Sequence, residues 1–98
     1  MIIVKKHVIS QDGRIILAVC DKEVLGKVFS EGELQLDLSS QFYRGAEMAE
    51  ADAEKLFKSA YIINFAGEKS VGLGIKNKLI SKSHIIRIQG VPHAQAVL

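Results

Sequence analysis

The sequence predicts an α+β fold: N-terminal antiparallel β-hairpins packed with two helices and a C-terminal β-α-β unit, forming a single domain over residues 1–98. Three patterns carry that expectation. Apolar, β-branched runs near the N-terminus are separated by turn residues. The stretch 46–60 repeats its apolar residues at helical spacing. The segments 61–65, 70–79 and 84–89 read as strand, helix and strand, an order that makes two strands of one sheet parallel.

In chain order, residues 2–9 are rich in Ile and Val and read as a strand. Asp12-Gly13 then accepts the positive φ of a tight hairpin, and 14–20 is the antiparallel partner. Residues 21–25 read as one helical turn capped by Asp21 and closed at Gly26. Residues 27–30 and 33–38 form a second hairpin around Glu31-Gly32, and strict alternation from Glu33 to Leu38 gives that strand one wet and one buried face. Residues 39–45 are the longest irregular connection. In the helix over 46–60, Ala49, Ala53, Leu56, Phe57 and Ala60 share one face. Glu47, Glu50, Asp52 and Glu54 lead that helix while Lys55 and Lys58 trail, the order that complements its dipole, so these acids need no catalytic role. In the helix over 70–79, Val71, Ile75 and Leu79 form the inner stripe. Gly72 and Gly74 weaken it by about 1 kcal/mol each relative to Ala, which points to close packing against the sheet or to a kinked or frayed helix.

Composition narrows the function classes. At 48% hydrophobic residues the chain can build a core, but with 6% aromatics that core must be mostly aliphatic. No apolar run approaches the roughly 18 residues that span a bilayer, so no membrane association is expected. Met1-Ile2-Ile3-Val4 precedes Lys5-Lys6-His7, the wrong order for a secretory signal. The single Cys20 cannot form an internal disulfide, so a cytoplasmic location is expected. Charge is segregated. Residues 23–54 hold eight acids against Lys27 and Arg44, whereas from Lys55 onward seven bases face Glu68 alone. Such asymmetry points to an anionic partner; the plainer alternative is a set of solvated lysines.

Several motifs fail on inspection. Residues 67–74 lack the Lys and Ser/Thr that a phosphate loop needs after its second glycine, and Gly72-Leu73-Gly74 is not followed by the third glycine of a dinucleotide fingerprint. His7, Cys20, His84 and His93 have no short ligand pairing, so neither metal nor cofactor is expected. Cys20 in an apolar strand reads as inert core rather than a nucleophile.

The densest polar chemistry is at the end of the chain. Residues 84–89 read as a buried strand broken at Gly90, after which Pro92, His93 and Gln95 follow as a specialised loop with a trans Val91–Pro92 bond. Parallel β-α-β geometry would place the ends of both strands and the N-terminus of the second helix at one sheet edge, where open α/β sheets bind ligands and a helix N-terminus attracts anions. Asn64, Gly67, Ser70, Pro92, His93 and Gln95 are therefore expected to converge there, overhung by Tyr43 or Arg44. The alternative is that His93 and Gln95 only fasten the tail through hydrogen bonds.

Gly90-Val91-Pro92-His93-Ala94-Gln95-Ala96-Val97, with Phe42-Tyr43-Arg44-Gly45 and the run from Asn64 to Val71, resembles a small archaeal family, the domain of unknown function four-two-four. The resemblance implies a small cytoplasmic archaeal protein and no particular chemistry. Two uses of the site follow. The first is a non-enzymatic RNA- or ribonucleoprotein-binding module, resting on the basic C-terminal half and a Phe42-Tyr43-Arg44 loop able to stack a base. The second is a small enzyme or anionic-ligand-binding protein using His93 at a helix N-terminus. A protein-assembly adaptor without chemistry is a third.

Overall fold

The computed structural model describes residues 1–98. Strands β1 (Ile2–Val8) and β2 (Ile15–Asp21) pair antiparallel through the expected Asp12-Gly13 turn, with Gly13 at a φ of 73°. The chain then makes a turn in which the Asp21 carbonyl accepts from the N–H groups of Val24 and Leu25. Strands β3 (Val28–Glu31) and β4 (Leu34–Asp37) follow as a hairpin bent at Gly32. This second hairpin does not extend the first. It is a separate two-stranded sheet, folded back over the main one because Leu36 and Leu38 bury against Cys20, Ala66 and Ile88.

After a 3₁₀ turn at Gln41–Tyr43, the helix expected over 46–60 proves to be two elements. Ala46–Met48 is strand β5, paired with β1, and only Glu50–Phe57 is helix α1. The edge of β1 overrides local helix propensity here, because it offers unpaired backbone groups to whatever segment lies beside it. Gly45 permits the approach: a Cβ there would meet the Val4 carbonyl oxygen at 2.0 Å. Glu50 and Asp52 do lie in the first turn of α1, and Lys55 in its last.

Strand β6 (Ile62–Ala66) leads into α2 (Glu68–Lys76), then a 3₁₀ turn at Lys82–His84, strand β7 (Ile86–Ile88) and strand β8 (Val91–Val97). The order across the main sheet is β5-β1-β2-β6-β8-β7. β2 and β6 run parallel; β8 runs antiparallel to both β6 and β7. The β6-α2-β7 unit therefore has the expected parallel direction, but its strands are not neighbours. The tail lies between them.

The tail expectation is thus corrected. Residues 90–95 are not a specialised loop; all but Gly90 belong to β8, and the chain reverses through Gln89 and Gly90, both at positive φ (50° and 80°), as a two-residue hairpin requires. Proline is normally excluded from an interior strand because it cannot donate to the ladder. Pro92 escapes that cost. Its carbonyl accepts from Gly67 N–H at 2.9 Å, and the Gly67 carbonyl that would need its missing N–H already accepts from Val71 in α2.

Both helices cover one face of the sheet, burying Ala53, Phe57, Val71 and Leu73 against Ile2, Val4, Leu17, Val19, Ile63 and Phe65. Phe57 and Phe65 meet edge to face with centroids 5.6 Å apart. Gly74 is the glycine that packs tightly, since a Cβ there would meet Ile80 at 2.8 Å and Phe65 at 3.1 Å; Gly72 faces open space. The second hairpin and the 3₁₀ turn at Gln41–Tyr43 cover part of the opposite face, which stays open over β6, β8 and β7 at Asn64, Gln95, His93 and Ile86.

Candidate functional site

Strand parity decides where each candidate residue points. Along β8, Ala94 and Ala96 belong to the helix-side core. His93 and Gln95 therefore project from the other face, as does Asn64 between the helix-side Ile63 and Phe65. Register aligns Ala18, Asn64 and Gln95 in one row, and Cys20, Ala66, His93 and Ile86 in the next. The hairpin covers Cys20 and Ala66. It leaves an open cleft of about 460 Å³ lined by Asn64, His84, Ile86, His93, Ala94 and Gln95.

Within this cleft Gln95 Nε2 donates to Asn64 Oδ1 at 3.1 Å, tying the two amides into a pair across β6 and β8. Each amide keeps further donor or acceptor capacity toward solvent. The His93 ring makes no hydrogen bond within the chain, and partial burial pushes its pKa below the ordinary histidine value, which favours the neutral ring. On the far side His84 closes the 3₁₀ turn, with Nδ1 at 3.4 Å from both Ser81 N and Ser81 Oγ. Ile86 between the two histidines is 47% exposed, and Val97 farther along the same face of β8 is 63% exposed. The arrangement offers two imidazoles, two amides and aliphatic surface on a shallow platform.

The other sequence-derived candidates fall elsewhere. Gly67, Ser70 and Pro92 gather at the N-terminus of α2, as expected, but on the helix side of the sheet. That N-terminus already carries an anion, the Asp21 carboxylate. Oδ2 accepts from Lys69 N–H at 2.9 Å, and Oδ1 accepts from Ser70 N–H at 2.8 Å and Ser70 Oγ at 2.7 Å. Asp21 is 6% exposed and Ser70 fully buried. Gly67, the residue preceding the helix, has no side chain to cap it, so a carboxylate from β2 takes that part. Asp21 therefore does not cap its own turn, and His93 does not stand beside the α2 N-terminus; the sheet separates them.

Tyr43 and Arg44 do not overhang this cleft. The Tyr43 ring packs against the second core, and burial raises its pKa to about 12. Phe42 stacks on His7 with centroids 4.5 Å apart, and the Phe42 carbonyl lies 2.9 Å from His7 Nε2. These rings hold the 3₁₀ turn onto β1 and β2. Arg44 is exposed and makes no ion pair. Cys20 is buried, donates its S–H to the Asp21 carbonyl at 3.3 Å, and has its pKa raised to about 12, first by burial and then by Asp21 and Glu23. It is inert core.

The C-terminal bases are partly neutralised. Lys69 lies 3.5 Å from Glu23, Lys76 3.5 Å from Glu54, and Arg87 3.2 Å from Glu68. Lys78 and Lys82 carry no such partner. His84 and Ile86 are the site residues that the candidate set lacked. No local pattern marks them: the alternation of polar and small residues from Pro92 to Ala96 signals a strand and the face of His93, and pairing with β7 then brings Ile86 opposite His93.

No helix is long and apolar enough to cross a membrane. No curated protein matches the chain. The structure of an uncharacterized conserved protein from Methanopyrus kandleri shares the fold, with a TM-score of 0.79 and 26% identity over 96% of this chain and 88% of that one. The model of the family described as "Protein of unknown function (DUF424)" matches residues 9–98. With nine-tenths of its length inside that match, the chain belongs to the DUF424 family.

Proposed function

We propose that this protein is a non-enzymatic RNA- or ribonucleoprotein-binding module of the archaeal cytosol, and that it takes single-stranded RNA on the uncovered half of its sheet. One observation carries the reading: His84 and His93 flank Ile86 on the same open face as the Asn64–Gln95 amide pair. Imidazole faces stack unpaired bases, and side-chain amides read base edges. A shallow, open cleft suits splayed nucleotides better than a fully enclosed small molecule. The basic C-terminal half adds weak attraction, limited by the pairs that Lys69, Lys76 and Arg87 make with acids. The organism of the structural relative supports the archaeal setting.

A second reading has its own support. A neutral His93 without an internal partner is suited to accept a proton from a small ligand bound in the same cleft. One variant separates the two. His93→Phe keeps a stacking ring and abolishes proton transfer. Fluorescence anisotropy with labelled single-stranded RNA at low salt should show binding that His93→Ala and Gln95→Ala weaken several-fold and His93→Phe largely retains. Absence of RNA binding at low salt, or binding indifferent to both alanine variants, would rule out the RNA reading.

A further inference from the structure

The segment from Lys82 to Arg87 is a narrow wall between two clefts. His84 and Ile86 face the RNA cleft. Lys82, Ile85 and Arg87 face a second cleft on the helix side, about 610 Å³ in volume, whose floor is Val71, Gly72 and Ile75 of α2. β7 is the outermost strand of the sheet, so no further strand stands between the two clefts at that edge. The second cleft has an aliphatic floor and two cations on its rim. Lys82 makes neither an ion pair nor a side-chain hydrogen bond. Arg87 spends Nη1 on Glu68, at 3.2 and 3.4 Å, and on the Gly90 carbonyl at 3.1 Å; its Nε and Nη2 carry no partner.

Resting on the RNA reading, we infer that a bound strand does not end at His84 but crosses the β7 edge, laying phosphate against Lys82 and the free side of Arg87. Sugar then packs over Gly72, Val71 and Ile75. Charge sets the path. The first cleft has no permanently charged side chain on its lining and so supplies base contacts, while the unpaired Lys82 and the open side of Arg87 lie on the other side of the wall. Base contacts specify and phosphate contacts position, so the two clefts divide one footprint. Glu68 opposes the phosphate, which gives the inference a signed test. Gly72 supplies another, because a Cβ built there meets nothing within 4 Å, so a larger side chain has room to project into the cleft.

The test uses a trinucleotide, followed by NMR shifts of the His84 and His93 rings, and a single strand of about ten nucleotides, followed by anisotropy across a salt series. Lys82→Ala and Gly72→Leu should weaken the longer strand several-fold and leave the trinucleotide unchanged. Lys82→Ala should also reduce the salt slope of the longer strand by roughly 0.7, the value of one single-strand phosphate contact. Glu68→Gln should tighten the longer strand. If the longer strand binds but ignores Lys82→Ala and Gly72→Leu, or both lengths respond alike, the crossing is wrong and the RNA reading survives. If neither strand binds the unaltered protein, both fall together.

Discussion

Replacing Asp21 by Ala should be among the most damaging single changes outside the aliphatic core. The carboxylate is 6% exposed and accepts three hydrogen bonds of 2.7 to 2.9 Å from Lys69 and Ser70. Hydrogen bonds to a charged group contribute about 1.5–3 kcal/mol each, and a buried donor left without a partner costs about 1–3 kcal/mol. The full sum is an overestimate. Lys69 is exposed, so its freed N–H regains water. The buried Ser70 N–H has no such exit. A loss of about 3–5 kcal/mol follows, against a total of about 5–15 kcal/mol for a domain of this size. In urea, with a slope of about 1–2 kcal/mol/M, the unfolding midpoint should fall by roughly 2 M or more at unchanged slope. Asp21→Asn should lie between the two, because its amide oxygen still accepts from Ser70 while its NH₂ confronts the Lys69 N–H donor to donor. A double-mutant cycle with Ser70→Ala should show coupling of about 1 kcal/mol or more. A loss below about 1 kcal/mol for Asp21→Ala, or additive effects of the two changes, would refute the tertiary cap.

Three further outcomes are expected. Gly72→Ala should stabilise α2 by up to about 1 kcal/mol in thermal or urea unfolding, whereas Gly74→Ala should destabilise, because its methyl would press on Ile80 and Phe65. Cys20 should resist iodoacetamide at pH 8 in the folded protein and react once urea unfolds it, since burial holds the thiol protonated. His93 should titrate below the ordinary histidine value by NMR. Its folded pKa is depressed, so the unfolded chain binds more protons between that value and about 6.5, and stability should rise with pH through this window; His93→Gln should remove that part of the pH dependence.

What was legible in the sequence was whatever local chemistry decides. The Asp12-Gly13 turn and the Glu31-Gly32 hairpin follow from backbone conformations that few residues adopt, and the amphipathic α2 from its period. Residues 46–48 were misread because Ala, Glu and Met favour helix, and only the neighbouring edge of β1 makes them a strand. Residues 91–97 were misread because proline argues against an interior strand, and only the prior commitment of the Gly67 carbonyl to Val71 removes the objection. The candidate site suffered the same way. Asn64, His93 and Gln95 do come together, but Gly67, Ser70 and Pro92 belong with Asp21. That carboxylate sits 48 residues before the N–H group it caps, a separation across which no local pattern reports.

The position of β8 has a consequence for how the sheet assembles. β6 pairs on one side with β2 but must wait for a partner 31 residues later, because Asn64 meets Gln95. Until then one edge of β6, rich in Ile and Phe, is an open template of the kind that recruits other chains. The two-residue turn at Gln89-Gly90 shortens that interval, because β7 and β8 can zip together locally and dock on β6 as one piece. Loop closure over two residues is fast, whereas bringing separate strands together across the sheet is slow. A substitution that spoils the turn, such as Gly90→Val at a φ of 80°, should therefore slow refolding and increase aggregation during it. The same sequence that builds the open platform thus also times the closure of the sheet beneath it.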